Sequence, residues 1–161
     1  MLNETQIKQV WENMLGAEAR SFYFGDLASR YTKRKQWITG VSFFLSTGAA
    51  ATIIAKASNV VPIVLSVVVA AASAYSMAVN LDSKIATMAK LRSTWNRIKI
   101  EYERLWNHTY AEDAEAQLDR IIQLEEDPSE LATTEAPNDQ RLLGEWQDRV
   151  LALRGVKTSH A

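Results

Sequence analysis

Apolar side chains are distributed very unevenly, with one long apolar block between two highly charged flanks. Residues 38–80 contain only one charged side chain, Lys56, whereas Lys, Arg, Asp and Glu are frequent on both sides. Two uncharged runs, 37–55 and 60–79, flank this lysine, and each has about 20 residues. A helix of that length rises about 30 Å, which matches the hydrocarbon thickness of a bilayer. The pattern therefore predicts a transmembrane hairpin with Lys56 at its tip.

The alternative is an antiparallel hairpin buried in the core of a soluble bundle. Helices of such bundles normally keep one polar face toward water, and neither run has one. The triplet Val67, Val68 and Val69 alone would suit a strand, but a lone strand in lipid leaves its backbone unpaired. We therefore expect two helical spans rather than a buried hairpin.

The flanks have helical periodicity and almost no strand signals. Asn3 and Gln6 form a capping-box pattern, so we expect an amphipathic helix within residues 1–36. A long helix is expected over residues 81–127. The predicted fold class is an all-α, oligomeric membrane protein, in which a transmembrane hairpin joins an N-terminal cytoplasmic helix to a long C-terminal cytoplasmic helix.

The last part of the chain, residues 128–161, is expected to lie outside that architecture. The Asp127-Pro128 pair predicts the end of the long helix, because a residue before proline avoids the helical region. A polar linker, a short amphipathic helix ended by Gly155, and a tail should follow.

Basic residues are distributed unequally around the two predicted spans. The loop between the spans carries only Lys56, whereas four basic residues precede the first span: Arg30, Lys33, Arg34 and Lys35. Further basic residues follow the second span. The positive-inside rule therefore places both termini in the cytoplasm.

The basic cluster has two interpretations that the sequence leaves open. It anchors the chain at lipid headgroups, or it joins basic residues of neighbouring helices in an anionic-ligand pocket for a nucleotide signal. The residues of that candidate pocket are Arg20, Arg30, Lys33, Arg34, Lys35, Arg92 and Arg97.

Two features predict that copies of the chain associate. Small side chains in both spans, such as Gly48 and Ala70, let helices approach closely. In the long helix, apolar residues step by threes and fours as in a coiled-coil seam. We expect a homo-oligomer, with a tetramer as the preferred number, held partly by Trp95, Ile98, Tyr102 and Leu105.

Polar residues within the spans have two interpretations. They hydrogen-bond to their own or a neighbouring helix, or they line a pore. The second span has the longer polar stripe, which consists of Ser66, Ser73, Ser76 and Asn80. If the protein conducts ions, this stripe should line the path, with Val67, Val68 and Val69 as a hydrophobic gate.

Catalytic and metal-binding patterns are missing from the sequence. The chain has no cysteine, its two histidines lack partners at metal-ligand spacing, and no glycine-rich phosphate loop occurs. We therefore expect no enzyme, no metal and no cofactor. The net charge of −1 also argues against double-stranded nucleic acid as a partner.

Two stretches and the order of the elements resemble the SLATT family of bacterial two-span effectors. The stretches are "ARSFYFGDLASRYTKRKQW" and "LRSTWNRIKIEYERLW", on either side of two close spans, and the resemblance covers about residues 5–125. It implies a pore-forming or membrane-disrupting effector in the bacterial inner membrane, which acts in anti-phage defence linked to nucleotide second messengers. A non-conducting scaffold and a membrane-anchoring subunit of an enzyme are the alternatives.

Overall fold

The computed structural model describes residues 1–46, 64, 67–71, 74–75 and 80–156. All regular structure in these residues is helical, so the predicted all-α class is confirmed. The four main helices are α1 (Glu4–Ser46), α2 (Leu81–Trp106), α3 (Ala114–Glu135) and α4 (Gln140–Leu153).

The chain divides into two compact units. Unit 1 consists of Met1–Leu27 and Thr87–Ala161, and unit 2 consists of Ala28–Ala86. These divisions lie before the boundary predicted at residues 36 and 37 and after the one predicted at residues 80 and 81. The last part of α1 and the first turns of α2 therefore group with the predicted hairpin rather than with the flanks.

The predicted spans lie largely outside the described residues. Within the described part of the chain, none of the helices has an apolar stretch of the length that crossing a membrane requires.

The beginning of α1 follows from its capping box. The Asn3 N–H donates to Gln6 Oε1 at 2.9 Å, and the Gln6 N–H donates to Asn3 Oδ1 at 2.8 Å. These two bonds satisfy backbone donors that the first turn of a helix leaves without partners. The Leu2 N–H donates to the Thr109 carbonyl at 3.0 Å, which ties the N-terminus to the turn after α2.

The prediction of one long helix over residues 81–127 is wrong, because the chain turns between α2 and α3. The imidazole Nδ1 of His108 lies 2.9 Å from the Arg104 carbonyl oxygen, at the end of α2. Tight turns follow, since His108 N–H bonds to the Leu105 carbonyl and Ala111 N–H to the His108 carbonyl, both at 2.9 Å. The turn coincides with a slip in the apolar periodicity at "WNHTY".

The prediction that Pro128 stops a helix is also wrong. Pro128 lies inside α3, where its ring is buried in unit 1. Its missing N–H removes one helical hydrogen bond, and burial of the ring offsets part of that loss. The helix ends instead at Glu135, and the next residue, Ala136, is extended with a φ of −96° and a ψ of 146°. Ala136 precedes Pro137, which disfavours the helical conformation of the residue before it.

The predicted C-terminal helix is confirmed as α4. The Asp139 carboxylate caps its first turn by accepting from the Leu142 N–H at 3.0 Å. Gly155 follows its end with a φ of +72°, a left-handed conformation that glycine adopts without steric cost.

The core of unit 1 draws apolar side chains from all four helices. Its largest fully buried members include Met14 of α1, Trp95 and Tyr102 of α2 and Val150 of α4. The four residues predicted to form the seam between copies, Trp95, Ile98, Tyr102 and Leu105, are at most 2 % exposed within the single chain. In the described structure these side chains are therefore covered within one molecule, and the association of copies stays a prediction.

Candidate functional site

The basic cluster of unit 2 lies on the last part of α1. Arg30, Lys33 and Arg34 are exposed, whereas Lys35 is partly buried and forms an ion pair with Asp82 of α2. The Arg34 guanidinium lies over the Tyr75 ring, 5.9 Å from its centroid. The cluster thus combines exposed basic side chains with Lys35, whose charge is compensated by Asp82.

Directly after these basic residues, α1 exposes large apolar side chains. Trp37 is 75 % exposed and Phe43 is 72 % exposed, and Val41 and Phe44 are exposed too. Exposed aromatic and aliphatic side chains in one continuous stretch are unusual for a surface that faces only water. We call residues 37–44 the apolar collar of α1.

Two grooves run along this part of α1, each with a volume of about 600 Å³. The first is lined by Lys33, Gln36, Trp37, Gly40, Val41 and Phe44. The second is lined by Thr32, Lys35, Gln36, Thr39, Gly40 and Phe43. Each groove has a lysine at one end and an aromatic ring at the other.

The remaining predicted ligand residues belong to unit 1, and each has different surroundings there. The Arg20 guanidinium lies 4.5 Å from the centroid of the Trp95 ring, a cation–π contact. The Arg92 side chain passes so close to Gly25 that a Cβ there would lie 3.1 Å from Arg92 Cδ. Arg97 is exposed. The seven residues predicted to form one anionic pocket are thus divided, three in unit 1 and four in unit 2.

The predicted pore stripe falls mostly outside the described residues, since Ser66, Ser73 and Ser76 lie there. Val67 and Val68, of the predicted gate, are helical and exposed, and Val69 is helical and half-buried. Asn80 is an exposed turn residue with a φ of +46°. That left-handed conformation is one that asparagine adopts more readily than most residues. The pore-lining role of Asn80 stays a prediction.

Sequence reasoning missed a buried polar cluster in unit 1. Asn13 Nδ2 donates to the Tyr102 hydroxyl at 3.2 Å. Burial, together with the Glu125 charge, raises the pKa of the Tyr102 phenol above its ordinary range. Burial also raises the pKa of the Glu125 carboxyl, against the opposing hydrogen bond from Tyr102 and the charge of Arg20. Helical spacing classed Tyr102 as apolar, and only the fold brings its distant polar partners to it.

A second feature without a sequence signal is a cluster of ion pairs at the end of α4. Arg154 Nη2 lies 2.9 Å from Glu18 Oε2 of α1 and 2.7 Å from Glu103 Oε1 of α2. Burial alone would raise the pKa of the Glu103 carboxyl, but hydrogen bonds from Arg154 and Lys99 outweigh burial and lower it. Hydrogen bonds to the same two carboxylates raise the pKa of the Arg154 guanidinium. We call these residues the Arg154 clasp.

Unit 1 also contains a cavity of about 350 Å³ beside the connection between α3 and α4. Its lining includes Arg20, Tyr23, Trp95, Ser129, Thr133 and Asp139. The Tyr23 hydroxyl donates to the Pro137 carbonyl and so fixes one wall. Among the described residues, no group of three or more His, Asp or Glu side chains is placed to hold a metal ion.

The geometry thus defines a helical protein with a packed helical unit and an exposed basic and apolar stretch on α1. Comparison of the chain with protein-family models, with curated proteins and with solved structures gives no match.

Proposed function

We propose that this chain is an oligomeric membrane effector that conducts ions, or breaches the membrane, when it is triggered. The observation that carries the proposal is the apolar collar of α1, which directly follows a cluster of exposed basic side chains. Basic residues followed by an interfacial aromatic are typical of the cytoplasmic boundary of a membrane span. Trp37 occupies the position of that aromatic residue.

The energetic cost of the collar in water supports its insertion in lipid. Burial of a Trp or Phe side chain is worth about 1.5–3 kcal/mol. For Trp37, Phe43 and Phe44 together this gives about 4.5–9 kcal/mol, which is comparable with the whole net stability of a typical domain. A bilayer offers that burial at the position where the uncharged run 37–55 begins.

In this proposal the chain spans the inner membrane of a bacterium twice, with both termini in the cytoplasm. The cluster of Arg30, Lys33, Arg34 and Lys35 before the first span and the single Lys56 between the spans support that orientation. Unit 1 is then the cytoplasmic part of each copy.

Assembly of several copies is part of the proposal, because two helices cannot enclose a path for ions by themselves. Since the apolar seam of α2 is buried inside unit 1, the contacts between copies are assigned to the small residues of the spans. A tetramer remains the preferred number. The serines at positions 66, 73 and 76 would line the path, and Val67–Val69 would form a dewetting gate.

The proposed trigger is a nucleotide second messenger, on the strength of the resemblance to the SLATT family. Within unit 1, Arg20 at the cavity is the basic side chain best placed to attract an anionic ligand.

A specific observation also favours a second candidate, a non-conducting membrane scaffold. Unit 1 has its own core, and the rings of exposed Phe22 and half-buried Trp146 stack with their centroids 5.3 Å apart. The Arg149 guanidinium lies 4.7 Å from the centroid of the Trp146 ring. Aromatic and arginine side chains of this kind are enriched at protein interfaces, so the pair would suit a recruited partner.

Ion flux separates the two candidates. The full chain is reconstituted in liposomes, and dissipation of a potassium gradient is measured for the parent, for Val68→Ser and for Ile100→Ser. Val68→Ser should leak without any trigger because it hydrates the proposed gate. Ile100→Ser, which changes an exposed apolar residue of unit 1, is the matched control and should stay as tight as the parent. If liposomes with the Val68→Ser variant hold the potassium gradient as well as the parent does, the pore is refuted and the scaffold is the remaining candidate.

A further inference from the structure

One of the two grooves on α1 has the features of a binding site for a single amphiphile. Its lining residues recur at intervals of three and four positions along the helix: Lys33, then Gln36 and Trp37, then Gly40 and Val41, then Phe44. Such spacing places them on one face of the helix. The polar members lie at the N-terminal end of the groove, and the other members are glycine and large apolar residues.

Gly40 keeps the middle of this groove open. A Cβ at this position would meet no atom within 4 Å, so the absence of a side chain leaves space rather than relieving a clash. An occupant can therefore lie against the helix backbone between the side chains of Trp37 and Phe44.

The length of the groove matches one leaflet of a bilayer. From Lys33 to Phe44 the helix rises about 16 Å at about 1.5 Å per residue. Half the hydrocarbon thickness of a bilayer is about 15 Å. A lipid whose headgroup lies at Lys33 would thus extend one acyl chain along Trp37 and Val41 and reach Phe44.

The charge at the headgroup end distinguishes this groove from its neighbour. Lys35, at the end of the other groove, is compensated by its ion pair with Asp82. Lys33 is exposed, and no carboxylate pairs with it in the part of the chain that the structure describes. The adjacent Arg34 adds a second positive charge. The groove therefore attracts an anionic headgroup more strongly than a zwitterionic one.

We infer that the groove of Lys33, Gln36, Trp37, Gly40, Val41 and Phe44 binds one phospholipid with an anionic headgroup. The inference rests on the proposed membrane location and adds selectivity among lipids to it. A second copy of the chain suits the groove less well, because docking face to face would bring the equivalent lysines together. An anionic lipid instead supplies both the negative charge and the apolar chain.

Quenching of Trp37 fluorescence by brominated lipids tests this directly. The chain has five tryptophans, and the four others, Trp11, Trp95, Trp106 and Trp146, belong to unit 1. The signal of Trp37 is the difference between the parent and Trp37→Phe. Both are reconstituted with brominated phosphatidylglycerol or brominated phosphatidylcholine over the same range of mole fractions.

We expect half-quenching of Trp37 at an about fivefold lower mole fraction of the anionic lipid. Lys33→Gln should remove that preference, whereas Lys8→Gln, which changes an exposed lysine of unit 1, should keep it. Gly40→Leu should weaken quenching by the anionic lipid, because its side chain fills the groove while the span stays apolar.

The outcomes separate this inference from the proposal beneath it. If neither lipid quenches Trp37, the membrane location fails, and the lipid site fails with it. If both lipids quench equally in the parent, or if Lys33→Gln keeps the preference, the lipid site is refuted and the membrane location stands. Loss of the preference in Lys8→Gln would reduce the effect to net charge and would also refute the site.

Discussion

Replacement of Ile98 by alanine tests whether the apolar face of α2 is an intramolecular core or a contact between copies. Ile98 is 2 % exposed in the single chain, whereas Ile100 of the same helix is 37 % exposed. Truncation of a buried isoleucine typically costs about 2–5 kcal/mol, because it removes buried methyl groups and leaves a cavity. A typical domain has a net stability of about 5–15 kcal/mol, so Ile98→Ala should unfold unit 1 at a clearly lower denaturant concentration.

The matched control is Ile100→Ala, which removes the same atoms from an exposed position and should cost about 0.5 kcal/mol or less. Urea unfolding in mild detergent, followed by tryptophan fluorescence, reports on both variants. Particle mass in the same detergent reports on assembly. We expect Ile98→Ala to lower the midpoint at every protein concentration, with the particle mass of the folded protein unchanged. A midpoint equal to that of Ile100→Ala, or dissociation without loss of stability, would show that this face joins copies after all.

Three further predictions concern the Arg154 clasp, the buried carboxyl of Glu125 and the orientation of the chain. Arg154→Met should lower the free energy of unfolding by about 1 kcal/mol in urea titrations. The control Arg141→Met, at a highly exposed ion pair, should change it little. Equal effects of the two substitutions would contradict a stabilising role of the clasp. The raised pKa of Glu125 means that its stabilising contribution is present below pH about 4.5 and is lost as the pH rises through the folded-state pKa. Glu125→Gln should therefore flatten the fall of the unfolding midpoint above that pH, and an unchanged profile would assign the fall to other groups. The chain has no cysteine, so single cysteines can be introduced at Ser58 and at exposed Glu135. An impermeant thiol reagent should label these two cysteines from opposite sides of the membrane. Labelling of both from the same side would refute the hairpin.

Local signals in the sequence were sufficient for the ends of several helices. The Asn3 and Gln6 capping box marks the start of α1, and Gly155 follows the end of α4 as predicted. The rule that a proline ends a helix predicted a wrong boundary at Pro128 and missed the boundary at Pro137. Pro128 is tolerated inside α3 because its ring is buried, whereas Pro137 ends the helix because the preceding residue is extended. The environment that distinguishes the two prolines is supplied by the fold.

Periodicity identified which face of α2 is apolar but not what covers that face. Trp95, Ile98, Tyr102 and Leu105 are buried as the spacing indicates, yet the partner is the same chain rather than another copy. A seam pattern is compatible with both packings, because each requires the same repeat of apolar residues. The polar cluster around Tyr102 could not be predicted for a related reason. Asn13 and Tyr102 are 89 positions apart, and no local pattern joins them.

The discontinuity of unit 1 sets an order of events during synthesis. Its first segment, Met1–Leu27, leaves the ribosome before any of the helices that cover it, because the rest of the unit begins at Thr87. About 60 residues separate the two segments, which corresponds to about 3–12 s of elongation at about 5–20 residues per second. Throughout that interval the apolar face of Val10 and Met14 has no partner within unit 1, while the entire apolar block is being made. The block is therefore complete, and available to targeting factors, before unit 1, which has segments on both sides of it, is able to fold.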